Sequence, residues 1–193
     1  MKHLVILAAL AATPAYAQDH GHDAAQPYAG FETREIKGLS ESDITELQAG
    51  SGWGLALPAE LNGRPGPAHL LELKDALDLT SDQVAAVEHI HAAMQAEAIA
   101  AGARLIDAER ALSDAFAAGS VTPPDLKHLL AASEAARADL RFVHLSRHIE
   151  TVPLLTPEQI ARYNVLRGYG DAPCATVPDG HDPELWRMHN GCS

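Results

Sequence analysis

From Ser81 to Ala118 the apolar and small residues fall at Val84, Val87, Met94, Ala98, Ala101, Leu105, Ala108, Leu112 and Ala115, with His91 occupying one step of the series. Steps of three and four place all of these on one stripe and predict a single long helix carrying a heptad seam. Gly119 suits a helix C-terminus, Thr122 the next N-cap and Pro123 a first turn. A returning helix is then predicted over about 124–151, with Leu126, Leu129, Leu130, Leu140, Val143, Leu145 and Ile149 as its apolar set and Pro153 as its stop. A last helix is expected over 157–168, ended by Gly168. Upstream, Ser40 and Asp43 can cap a helix over 41–49 that Gly50 ends. Residues 51–67 are rich in Gly and Pro and read as a loop with one helical turn, followed by a helix to about residue 76. Almost no strand alternation occurs, so the expected class is all-α: a long antiparallel helical hairpin with short flanking helices.

The two ends read differently. Lys2, the apolar run Leu4–Ala12 and Ala15-Tyr16-Ala17 form an export signal with cleavage after Ala17, and the run is too short for a spanning anchor. The expected location is the periplasm. The resulting organisation is a signal over 1–17, a polar leader rich in His, Asp and Ala over 18–39 that is expected to be disordered, a short helix and loop over 40–66, the hairpin domain over 67–170 and a tail over 171–193. The formal net charge is −12, which argues against binding nucleic acid. Cys174 and Cys192 are the two cysteines, both in the tail. In an oxidising compartment they are expected to pair, the alternative being two thiol ligands for a soft metal.

One five-residue phrase occurs twice. Leu79-Thr80-Ser81-Asp82-Gln83 and Leu155-Thr156-Pro157-Glu158-Gln159 both read L-T-x-x-Q and both open a helix. In each, Thr can N-cap while Gln, three residues on, completes a capping box. Two copies in a small exported helical chain resemble the Spy/CpxP family of periplasmic proteins, which includes ZraP-like and CnrX-like metal-responsive members. The resemblance covers roughly residues 67–169. It implies a hairpin that pairs into a homodimer, ATP-independent shielding of unfolded clients or regulation of a membrane sensor protein, and metal bound between helices by His, Glu and sometimes Met.

Eleven histidines against three phenylalanines and two tryptophans make metal chemistry the first candidate. His144 and His148, four apart, share one helix face a turn apart, a bidentate arrangement for copper, zinc, nickel or cobalt. A turn centred near Val121 sets His148 opposite Met94 and His144 opposite Ala98, with His91 and Glu88 nearby. The family's ligand pair four apart on the penultimate long helix matches His144 and His148. His69 and Glu72 are candidates for its N-terminal ligands, with Leu73 where a second His would stand. After cleavage, Gln18-Asp19-His20 would offer an amine, two amides and an imidazole to a square-planar ion, with His22 as a further donor. Glu88-x-x-His91 lacks the second copy that a di-iron carboxylate site needs. No nucleophile elbow, phosphate loop or Cys-x-x-Cys pair occurs, so no enzyme is expected. Three roles follow as expectations: a metal-linked stress protein with chaperone activity, a metal sensor acting on a membrane partner, or a metal buffer.

Overall fold

The computed structural model describes residues 27–170 and 182–189. They form helices α1 (Glu41–Ala49), α2 (Leu57–Glu60), α3 (Pro67–Glu72), α4 (Ser81–Ala117), α5 (Pro123–Thr151), α6 (Pro157–Leu166) and α7 (Pro183–His189). Single 3-10 turns lie at Phe31–Thr33 and Val152–Leu154, and no strand occurs among the described residues. The class is all-α. Local chemistry accounts for the starts. Ser40 with Asp43, Thr80 with Gln83, Thr122 with Asp125 and Thr156 with Gln159 each form a complete capping box.

Helices α4 and α5 lie antiparallel along one another. Arg147 bonds Glu97 at 2.6 Å, Arg104 pairs with Asp139 at 3.8 Å, and the Ser133 hydroxyl donates to Glu109. Gly119, at φ 69°, makes the left-handed step that reverses the chain between them. No helix among the described residues is long and apolar enough to cross a membrane.

Two apolar cores form along this pair. The first joins Ile36, Leu39, Leu47 and Leu55 to Met94, Ala98, Ala101 and Leu105 of α4 and to Leu140 and Val143 of α5. Its tightest approach is at Gly102, where a Cβ would stand only 2.6 Å from the Leu47 carbonyl oxygen. Backbone therefore packs on backbone between α1 and α4. The second core gathers Leu70, Leu77, Val87 and Tyr163, with Leu79 and Leu155 packed against it. The leucine of each repeated phrase thus enters the same cluster.

The two phrases also clasp one another. Each Gln oxygen accepts the backbone N–H of its own Thr, at 2.9 Å for Gln83 and 3.0 Å for Gln159. The Gln83 amide donates to Gln159 Oε1 at 2.9 Å, and the Gln159 amide returns a bond to Gln83 Oε1 at 3.1 Å. The remaining amide hydrogens reach the carbonyls of Leu154 and Leu77, at 2.7 and 3.4 Å. What the sequence offered as two separate caps is one reciprocal amide pair joining the starts of α4 and α6.

Two expectations change. A polar leader disordered to residue 39 is not what forms: Ile36 and Leu39 are buried, the Lys37 N–H donates to Ser113 Oγ at 3.3 Å and Arg110 pairs with Glu35. The polar composition of the segment hides two apolar residues spaced to enter the first core. Helix α3 ends at Glu72 rather than near residue 76. Looser turns follow, and Asp78 at φ 50° leads the chain into the Thr80 cap, a conformation that Asp tolerates better than most side chains.

Candidate functional site

The two cores part where polar residues replace the seam. On α4, His91 stands between Val87 of the second core and Met94 of the first, and on α5 His144 and His148 follow Leu140. A cavity of about 550 Å³ opens there, between α3, α4, α5 and the strap of residues 49–57. Its walls include His69, Glu72, His91, Met94, His144 and His148, and also Glu60, Trp53, Arg167 and Tyr169. Glu88 is exposed on α4 and takes no part in the cavity, a correction to its place beside His91. On a helix it lies three residues from His91 but about 60° round the axis, which is enough to turn it outward. His20, His22, Cys174 and Cys192 lie outside the described residues.

Burial and tautomer set the two α5 histidines. His148 is 7% exposed, and its Nδ1–H donates to the Arg64 carbonyl at 2.6 Å, since that oxygen can only accept. The Glu60 carboxylate lies 3.8 Å from the same nitrogen. A carbonyl or carboxylate behind Nδ1 is the usual support of an imidazole that ligates through Nε2. Gly66 makes room for this ring: a Cβ there would be 2.5 Å from His148 Cε1. His144 is 2% exposed, and its Nε2 has no hydrogen-bond partner among the described residues. Burial, and then the neighbouring His148, push its pKa below the ordinary 6.5, while the Ser51 main chain works the other way. The imidazole therefore keeps its lone pair under conditions that protonate ordinary histidines.

That shift carries a stability consequence. The unfolded chain takes up a proton near 6.5 and the folded chain only at lower pH, so stability is full above that value and falls as pH drops below it. Urea melts between about pH 7.5 and 5.5 should show this loss, and His144→Asn should lose less over the same interval. An identical slope in the variant would contradict the assignment.

Beneath the histidines lies a buried carboxylate that sequence reasoning missed. Glu60 is 6% exposed; its Oε1 accepts from the Tyr163 hydroxyl at 2.5 Å and from Arg167 Nε at 3.1 Å, and its Oε2 has no hydrogen-bond partner among the described residues. Burial and the adjacent Glu60 charge push the Tyr163 phenol well above its ordinary range, so it stays a donor. Arg167 also donates to the Tyr169 hydroxyl at 3.1 Å. A single acidic residue in Leu57-Pro58-Ala59-Glu60-Leu61, flanked by apolar neighbours, was the one available signal. At the rim His69 and Glu72 bond one another at 2.7 Å. Across the first core Trp53, in the left-handed region at φ 45°, donates from Nε1 to Asp43 at 2.8 Å under the Arg137 guanidinium.

Two imidazoles a helical turn apart, that of His144 with its Nε2 buried and without a hydrogen-bond partner among the described residues, share this cavity with the Met94 thioether and the His69 and His91 imidazoles. No three His, Cys, Asp or Glu side chains among the described residues converge as a metal cluster, so the structure brings the expected ligands to one cavity without closing them on one point. Comparison with known proteins returns no family model, no curated protein and no solved structure that matches this chain.

Proposed function

We propose that this is an exported stress-response protein of the Spy/CpxP type that captures a transition metal in its histidine-lined cavity. His144 and His148 are the primary ligands, through Nε2, with His91, Met94 or His69 reaching from the facing walls. Copper, zinc, nickel and cobalt suit imidazole and thioether donors. The observation that carries the reading is that His144, whose buried Nε2 has no hydrogen-bond partner among the described residues, lines a cavity to which three further histidines contribute. Neutral imidazole is the form a metal requires, and burial favours it at His144.

The outer face of α5 supports the client-holding part. Phe142 and Ile149 are each 71% exposed, and with Ala131, Ala135, Ala138 and Leu145 they form an apolar strip opposite the α4-facing side. Such a strip suits apolar segments of unfolded clients or a second copy of the chain. The sensor reading rests on another observation: His69 sits on the six-residue α3, so an ion shared with α5 would draw a short element against a long one.

Metal titration tests the proposal. The protein should bind one ion tightly, and His144→Ala with His148→Ala should weaken binding by about a hundredfold while helix content is unchanged. Equal affinity in the double variant would reject the site.

A further inference from the structure

We infer that the outer face of α5 is a helix-pairing seam, and that its occupant is a second copy of this chain laid antiparallel along the same helix. The inference goes beyond the metal reading and does not depend on it. Period is the first argument. Ala131, Ala135, Ala138, Phe142, Leu145 and Ile149 follow one another at steps of four, three, four, three and four. That is a strict 3.5-residue repeat, the pattern of a coiled-coil seam. Five of the six are exposed and Leu145 is half-buried. The side that packs on α4 is a different one, since Ser133, Leu140 and Val143 are buried on the far side of the helix axis. Holding unfolded segments requires no fixed period. A stripe in strict heptads fits another helix.

Shape selects which helix. The alanines occupy the N-terminal half of the stripe and the large side chains the C-terminal half. A parallel copy would set Phe142 on Phe142 and hold the paired alanines apart. Turned antiparallel, a copy of α5 sets Ala131 against Ile149, Ala135 against Leu145 and Ala138 against Phe142, and the twofold axis repeats each layer. Every layer then joins a small residue to a large one, the arrangement in which facing positions interdigitate.

Extent and charge set the strength. From residue 131 to 149 the stripe runs about 27 Å at 1.5 Å per residue. Sealing it together with its flanks buries on the order of 1,000 Å² in total, where specific but reversible interfaces begin. Charge opposes the pairing. Each chain carries a formal −12, and the antiparallel register brings Arg141 near Arg141 and Asp139 near Asp139 across the axis. The dimer is therefore held by apolar contact, and it should tighten as salt screens that repulsion.

Sedimentation of the purified full chain, from about 1 to 200 μM, tests the pairing. A reversible dimer with a Kd in the micromolar range is expected. Phe142→Glu and Ile149→Glu, both on the open surface, should each weaken it by at least about tenfold with helix content unchanged. Ala138→Phe separates the orientations. It crowds Phe142 of an antiparallel copy and should weaken the dimer, whereas in a parallel copy it would add an aromatic layer and tighten it. A benzophenone amino acid in place of Ala131 should cross-link to the stretch around Ile149 of the second copy. A monomer throughout the range, a dimer indifferent to both glutamates, a dimer that loosens with salt, or a dimer tightened by Ala138→Phe overturns the inference. So does a cross-link formed only with a denatured client, which gives the face to clients instead. Zinc binding is read separately on the Phe142→Glu chain, so failure of either proposal leaves the other in place.

Discussion

Tyr163→Ala is expected to destabilise the protein by about 4 kcal/mol, the largest effect of any single substitution considered. The ring is fully buried at the centre of the second core, packed among Leu70, Leu77 and Val87. Its removal leaves a cavity among side chains drawn from separate elements, which relax only partially around it. The same substitution also strips Glu60 of its shortest hydrogen bond and leaves a buried carboxylate with Arg167 alone. Tyr163→Phe separates the two contributions. It keeps the ring and removes the hydroxyl, and should cost about 1–3 kcal/mol through the under-bonded carboxylate. Urea denaturation of both variants measures the split. A Phe variant as stable as the parent would show that Glu60 does not depend on the phenol.

Gln83→Ala is expected to cost about 2–3 kcal/mol, more than the loss of an ordinary helix cap. The truncation removes four hydrogen bonds at once: those with the Thr80 N–H and the Leu154 carbonyl, and both with Gln159. Gln159→Ala should cost a similar amount for the mirrored reasons. Because each deletion orphans the other amide, the double substitution should cost much less than the two singles combined, with a coupling of at least about 1 kcal/mol. Additive losses in a double-mutant cycle would mean two independent caps rather than one clasp.

The legibility of this chain in its sequence divides along local and non-local lines. Thr80, Thr122 and Thr156 announce their helices because a capping box is written within four residues. The reversal at Gly119 is local in the same way, and the seam residues from Val87 to Leu105 follow from spacing alone. His144 and His148 stand out because a helical repeat places them on one face before any tertiary contact is known.

What the sequence withholds is which local pieces meet. Nothing within the first phrase says that Gln83 will pair with Gln159, 76 positions away. Burial of Ile36 and Leu39 depends on α4 offering a surface near Ser113 and Arg110, far along the chain. Glu60 reads as a loop acid until Tyr163 and Arg167 arrive around it. His69 reaches the cavity because Pro65, Gly66 and Pro67 pack against α5, where Thr151 donates to the Pro65 carbonyl and His148 lies on Gly66. Glu88 fails for the opposite reason: closeness in sequence to His91 does not put it on the same side of α4.

The central claim is that the Nε2 atoms of His144 and His148 take a metal while the Arg64 carbonyl holds the opposite side of the His148 ring. Long-range ¹H–¹⁵N imidazole spectra of the labelled protein, recorded as zinc is added, observe those nitrogens directly. The account predicts that, at about one equivalent of zinc, the Nε2 signals of both residues move to the metal-bound position, while His148 Nδ1 keeps its proton on the Arg64 carbonyl. Zinc bound at one equivalent with the His144 and His148 signals unmoved would contradict it.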